Sequence, residues 1–476
     1  MSKLFELDSL LWVKEQALRT YYVSLEDIRR DLLVQPRGFQ GENPPPFSLM
    51  QKHKNEAGEK LYGLPVMYGL KTFQEAAGCE SIAQFLQEHV LDLRSAGEPY
   101  QFKSNITPRD KAQERFFNDT LKAIKGRNMT LACSPTGSGK TICAVHLASQ
   151  LGVATLAIVP SSRLAGQWRE AAHKFLGLSY DQIGMVGGGK KEWEGKPFTV
   201  AIIHNLIDGE KLPDEFYTRF GFVCYDELHV TAAKSFSRSL LHFPARYRMG
   251  MSATPTRKDG CEKVFLYQFG MVNARGTGDA LQAQVRVYDF KWRSGNGLDS
   301  KPIFVKRKIV MANDRRNNWC ARMIHALYKR GRHVLVFSEE ILHLQTMIGI
   351  CAELGIPDKE LGLYARTYYT PEGKTKTIKE ADLDYVEKHC RIIFTVYAMA
   401  KDGIDIPRLD AGIDIYPRTE GIQAIGRIRR PLDGKPMPVW ITIRDKGVGS
   451  LMGSCRKRLL DYKKSNCNII ECGDCK

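Results

Sequence analysis

The chain has 476 residues, with 70 Lys and Arg against 53 Asp and Glu and a formal net charge of +17. At roughly 100–200 residues per domain this length holds two to four domains. A composition of 43% hydrophobic and 26% charged residues excludes a mostly disordered, collagen-like or coiled-coil chain. The sequence has no uncharged apolar run of about 18 residues, and its start lacks a basic region followed by an apolar stretch and a cleavage site. Neither a membrane span nor secretion is therefore expected, and a cytoplasmic setting is. The surplus of positive charge points to a polyanionic partner, most often nucleic acid.

In chain order, residues 2–17 and 25–33 have helical periodicity, and the breaker-rich segment 35–47 contains Pro44, Pro45 and Pro46. Residues 61–70 read as strand or extended chain, and 72–93 as helix. No chemical motif falls here, so 1–103 reads as a small accessory domain. Its Tyr62, Tyr68 and Phe73 are either core or a base-stacking cluster. From about residue 104 apolar runs alternate with helical stretches: 129–132, 154–159, 199–203, 222–225 and 248–251. After a polar stretch at 293–301 come 333–337, 391–395, 411–415 and 439–443. Such short runs read as buried parallel strands. The fold expected is α/β, two tandem doubly wound parallel-sheet lobes at 104–285 and 286–450, with a Cys-rich tail at 451–476.

The strongest local signal is Ser134-Pro135-Thr136-Gly137-Ser138-Gly139-Lys140-Thr141, between the strand 129–132 and a helical run at 142–151. A glycine-containing turn at a helix N-terminus aims backbone N–H groups at phosphate oxygens. Lys140 adds a charge near the β- and γ-phosphates, and the Thr141 hydroxyl suits Mg2+. Ser134 stands where the general pattern has Gly. The strand 222–225 then runs into Asp226-Glu227-Leu228-His229, at the carboxyl edge where α/β sheets bind ligands. Asp226 suits Mg2+, and Glu227 suits orienting and deprotonating an attacking water. Met251-Ser252-Ala253-Thr254-Pro255 closes another strand. In Gln423-Ala424-Ile425-Gly426-Arg427-Ile428-Arg429-Arg430, Arg427 and Arg430 are read on one face of a helix. There they either reach a γ-phosphate or form a basic surface.

Taken together and in this order, the four segments resemble the superfamily 2 helicases and translocases of DExH type, over residues 104–445. The resemblance implies two RecA-like lobes, with ATP held by Pro135, Thr136, Gly137, Ser138, Gly139, Lys140 and Thr141. It implies Mg2+ at Thr141 and Asp226, and catalysis by Lys140, Asp226, Glu227, Gln423, Arg427 and Arg430. Arg109 and Gln113 match the adenine-sensing segment, with Phe102 packing on the base. Residues 159–164 with Gln167 and Trp168, and then 200–206, resemble strand-tracking motifs, and 334–338 the fourth motif. Thr395 through Pro407 is similar to the fifth motif, which implies Thr395 on the nucleic-acid backbone and Gly403 and Asp405 against the nucleotide. Ser252 and Thr254 are implied to link the ATP site to motion between lobes.

The run 254–260 is similar to XPB-like helicases and to the branch-migrating helicases of large bacteriophages; poxvirus transcript-release helicases share the layout. The implied activity is nucleic-acid-stimulated ATP hydrolysis by a monomeric motor. It would unwind or remodel duplex or branched DNA in replication, recombination or repair. An RNA-directed helicase and a non-hydrolysing scaffold are the alternatives. Residues 301–332 hold ten basic side chains and a single Asp314, and either line the nucleic-acid path or form a solvated helix face. Cys455, Cys467, Cys472 and Cys475 offer four thiolates, enough for a tetrahedral Zn2+, with free thiols the alternative.

Overall fold

The computed structural model describes residues 3–38, 44–135, 138–207, 212–253, 257, 259–276, 280–292, 297–401, 406–419 and 421–475. Thr136, Gly137, Thr254, Gly403 and Asp405 lie outside the described residues. The chain forms two compact units, Met1–Gly278 and Asp279–Lys476. No helix among the described residues is long and apolar enough to cross a membrane.

The first unit opens with a five-stranded sheet in the order Gln51–Lys54, Lys60–Leu64, Leu11–Lys14, Phe5–Leu7, Val90–Asp92. Where helix was expected over 2–17, the strands Phe5–Leu7 and Leu11–Lys14 form a hairpin and helix begins only at Glu15. Phe5 and Leu7 pair with Val13 and Leu11, and burial alternates along both strands, the period of a half-buried sheet. The Asp8 carboxylate closes the turn by accepting from the Leu10 N–H at 2.8 Å and the Trp12 indole at 3.0 Å.

Tyr62 and Phe73 are core residues. Tyr68 donates to Asp31 at 3.1 Å, and its ring centre lies 4.9 Å from that of Tyr267. Gln268 accepts from the Val66 N–H at 3.1 Å and donates to the Ser9 carbonyl at 2.8 Å. Arg248 donates to the same carbonyl at 2.9 Å and to that of Asp8. One apolar core runs from Phe5 to Phe269, so the N-terminal segment shares its interior with the sheet that follows.

That second sheet has eight strands in the order Lys190–Glu192, Ile183–Gly187, Phe198–Ile202, Thr155–Val159, Phe222–Tyr225, Tyr247–Ser252, Met129–Cys133, Ala274–Arg275. All neighbours are parallel except Lys190–Glu192. The register Tyr225↔Gly250 and Gly250↔Leu131 sets the carboxyl ends of three strands side by side. The phosphate-loop, DELH and Ser252 segments emerge there.

In the second unit the described residues form a seven-stranded parallel sheet in the order Leu361–Tyr364, Ile392–Val396, Val334–Ser338, Ala411–Asp414, Val439–Lys446, Gln284–Lys291, Asn468–Asp474. The lobe boundary expected at 285/286 falls inside the strand Gln284–Lys291. Residues 451–476 are not a tail either: the helix Gly449–Lys464 returns the chain, and Asn468–Asp474 pairs with Gln284–Lys291 as an edge strand.

This placement does not gather the C-terminal cysteines offered as a zinc site, and it favours the free-thiol alternative. Cys467 packs in one core cluster of the second unit and Cys475 against another. Cys472 lies where the pairing with Val287 and Tyr288 shifts register, and Cys455 is on the helix. No three of the four sulfurs come within 4.8 Å of one another. All twelve cysteines are free thiols.

Candidate nucleotide site

The phosphate loop leads into the helix Lys140–Leu151, whose N-cap Gly139 has φ +91°. The left-handed conformation favours glycine there, and a Cβ would stand 2.3 Å from Nε2 of Gln113 and push that side chain aside. Ser134 is buried, and its hydroxyl donates to that of Ser138, which in turn donates to the Pro135 carbonyl at 2.7 Å. A serine in place of the usual Gly thus ties the two ends of the loop. Lys140 is 8% exposed, and its ammonium donates to the carbonyls of Ser134 at 2.8 Å and Pro135 at 3.2 Å. A buried ammonium beside a helix N-terminus is suited to a phosphate. Thr141 follows in the first helical turn.

Gln113 braces this loop from behind. Asp110 caps its helix by accepting from the Gln113 N–H at 2.7 Å. The Gln113 side chain accepts from the Arg109 N–H at 2.9 Å, and its Nε2 lies 3.5 Å from the Ser138 carbonyl. The Arg109 guanidinium pairs with Asp110 at 2.9 Å. Phe102, expected against a base, is buried against Tyr100 with ring centres 4.8 Å apart.

Asp226 closes the strand Phe222–Tyr225 and is buried. Its Oδ1 accepts from the Glu227 N–H and its Oδ2 from the Trp168 indole, both at 2.9 Å. Burial raises its pKa above the ordinary carboxylate value and the Glu227 charge adds to this, while the Trp168 bond and Lys140 act the other way. The helix carrying Trp168 resembled a strand-tracking motif. The structure instead turns this buried ring onto the DELH carboxylate, a pairing 58 positions apart that sequence reasoning missed.

Glu227 has φ +48°, a left-handed conformation rare for a residue with a side chain. Its Oε2 lies 3.3 Å from Nδ1 of His229, and that nitrogen lies 3.5 Å from the Ser252 hydroxyl. The Ser252 carbonyl accepts from the Ser134 N–H at 3.2 Å, and Arg257 donates to the His229 carbonyl. Ser252 therefore contacts both the phosphate loop and the DELH histidine. Asp226 and Lys140 form a site that fits a nucleotide triphosphate with its divalent cation. A buried carboxylate whose ionised form is disfavoured by burial and by a second carboxylate gains from a cation placed beside it.

In the second unit Gln423 and Arg427 lie four apart on the helix Ile422–Ile428. Arg430 was expected on the same helix face but lies beyond the helix end. Pro431 follows it, and a residue before proline is pushed out of helical conformation. Arg427 and Arg430 are both buried, and burial lowers the Arg430 pKa to about 10. Thr395, expected on the nucleic-acid backbone, is buried and donates to the Tyr364 carbonyl at 2.8 Å.

The basic stretch 301–332 is divided in use. Arg316 is buried on Asp445 at 3.0 Å. Lys306 is buried on the Asp299 carbonyl at 2.9 Å and the Ser450 hydroxyl at 3.0 Å. Lys301, Lys308, Arg315, Arg322, Lys329 and Arg330 are exposed.

Residues 105–257 match the family model described as Type III restriction enzyme, res subunit. The chain is 33% identical over 381 residues to 161L of Invertebrate iridescent virus 6, a protein assigned as a helicase, covering 76% of this chain and 82% of that one. It is 23% identical over 469 residues to L396 of Acanthamoeba polyphaga mimivirus, assigned as an ATP-dependent RNA helicase, covering 94% and 83%. Over 174 residues it is 30% identical to the DNA 3'-5' translocase XPB2 of Sulfurisphaera tokodaii, covering 36% and 38%. The chain belongs to the superfamily 2 helicases, ATP-dependent enzymes with tandem RecA-like lobes.

Proposed function

We propose that the protein is an ATP-driven translocase that remodels duplex or branched DNA, moving junctions or unwinding short duplexes as a monomer. The observation that carries this reading is the assembly of Lys140, Asp226, Glu227 and His229 at the carboxyl edge of one parallel sheet, with Ser252 joining both segments. Pro135 through Thr141 cradle the phosphates, Lys140 by its charge and the first helical turn by its backbone N–H groups. Thr141 and Asp226 are the groups to hold Mg2+, which when bound neutralises phosphate charge. Glu227 takes the proton of the attacking water, and His229 orients Glu227. Arg109 and Gln113 position the adenine side of the loop. In the second unit Gln423, Arg427 and Arg430 are assigned to the transferring phosphoryl group, and Gly403 and Asp405 to the nucleotide.

DNA as the track is supported by the similarity to XPB2. An RNA track is the second reading, favoured by the similarity along most of the chain to L396, assigned as an RNA helicase. ATPase stimulation by duplex, single-stranded and forked DNA and by RNA separates the two. Forked or duplex DNA is expected to stimulate most, and stimulation by RNA alone moves the assignment to the second reading. Lys140→Ala abolishes stimulation, and a variant that kept it in full would reject hydrolysis at this site.

A further inference from the structure

We propose a zinc-class metal site in the N-terminal segment, formed by Cys79, Glu88 and His89. Their candidate ligand atoms all lie within 4.8 Å of one another, the one such group among the described residues. Oε2 of Glu88 stands 3.6 Å from Nε2 of His89, too far for a hydrogen bond. It falls within the range for the edges of a tetrahedron around Zn2+, whose ligands at 2.0–2.3 Å stand about 3.3–3.8 Å apart.

Each ligand is also held by a neighbour, as metal ligands are. The Tyr21 hydroxyl lies 3.1 Å from Nδ1 of His89, so Nε2 faces the carboxylate. Gln84 donates to Oε1 of Glu88 at 3.1 Å. The Cys79 N–H donates to the Gln74 carbonyl at 3.1 Å, and the Cys79 carbonyl accepts from the Gln74 side chain. The His89 ring stacks on Phe85 at 5.3 Å.

A thiolate and an imidazole select zinc over magnesium or calcium. Three protein ligands leave the fourth position to water, and binding releases the thiol proton to solvent. A plain contact between Glu88 and His89 does not call for a buried thiol beside it. The ion ties the end of the helix Ile82–His89 to the loop after Val66–Ala76. Through Tyr21 it also braces the turn that carries Tyr22, which is 96% exposed at φ +53°. The site is independent of the nucleotide reading.

The test is zinc content and zinc and cobalt titration of the purified full chain. About one equivalent of zinc is expected, with a cobalt–thiolate charge-transfer band. Cys79→Ser and His89→Gln each weaken zinc by roughly 100-fold or more, and Tyr21→Phe by about 10-fold. Glu88 is exposed, so Glu88→Gln weakens the metal without threatening the fold. Cys472→Ser leaves zinc unchanged. Zinc below about a tenth of an equivalent with no cobalt band overturns the site, as does metal lost in Cys472→Ser but kept in Cys79→Ser.

Discussion

The Trp168 indole N–H donates to Oδ2 of Asp226 at 2.9 Å, both groups buried. This bond stabilises the ionised carboxylate that burial disfavours, so the helix Ser162–Leu176 sets the charge of the proposed cation ligand. Trp168→Phe keeps the ring and removes the donor. A hydrogen bond to a charged group contributes about 1.5–3 kcal/mol, so ATPase at neutral pH is expected to fall roughly tenfold or more. The Asp226 pKa rises further, which moves the acid limb of the rate–pH profile to higher pH. An unchanged profile would separate Trp168 from the chemistry.

Asp226 also sets a conflict between stability and activity. Its folded pKa is raised, so the fold favours the protonated form. The group's contribution to stability is greatest below the unfolded value of about 3.9 and is lost as pH rises through the folded value. Without nucleotide, Asp226→Asn is expected to melt at or above the wild-type temperature at neutral pH while losing ATPase. Thermal melts across the acid range check this, and a lower melting point for the variant contradicts it.

His343 gives the second unit the opposite dependence. Burial, then the Arg316 charge, lowers its pKa from 6.5 to about 3. The neutral ring lies 2.9 Å from the Ser338 hydroxyl and 3.2 Å from Oδ1 of Asn317. Stability is complete above the unfolded value and is lost as pH falls from about 6.5 toward 3. His343→Gln is expected to flatten that decline, read by urea unfolding at several pH values.

The basic segment separates into two classes of effect. Arg316→Ala leaves Asp445 buried with the Trp292 indole but no charge partner, and is expected to cost about 3–5 kcal/mol of stability. It leaves the salt dependence of DNA binding unchanged. Arg322→Ala and Lys329→Ala are expected to leave stability alone and lower the salt slope by up to about 1 each. Urea unfolding and binding isotherms at several salt concentrations distinguish the classes.

The central strands could be read from sequence because the parallel strands Met129–Cys133 and Phe222–Tyr225 are buried on both faces and so read as unbroken apolar runs. The phosphate loop was legible because its chemistry is local. The strands Gln284–Lys291 and Asn468–Asp474 were not, since each is defined by pairing with a distant segment. The N-terminal hairpin was misread because Leu4, Leu7 and Leu11 also fit helical spacing, and tertiary burial chose the alternation. Trp168, Thr395 and Arg430 carried family patterns whose geometry is set by neighbours: a carboxylate, a carbonyl and a proline.

The guanidinium of Arg248 is anchored on the main chain of Asp8 and Ser9, and burial lowers its pKa to about 10. A fragment beginning at residue 104 would strip these acceptors from a charge in the middle of the sheet and open the apolar surface around Phe269. Trimming the chain to its ATPase motifs should therefore yield an aggregating fragment rather than a smaller motor. A fusion partner or a protease site is better placed elsewhere than at this junction.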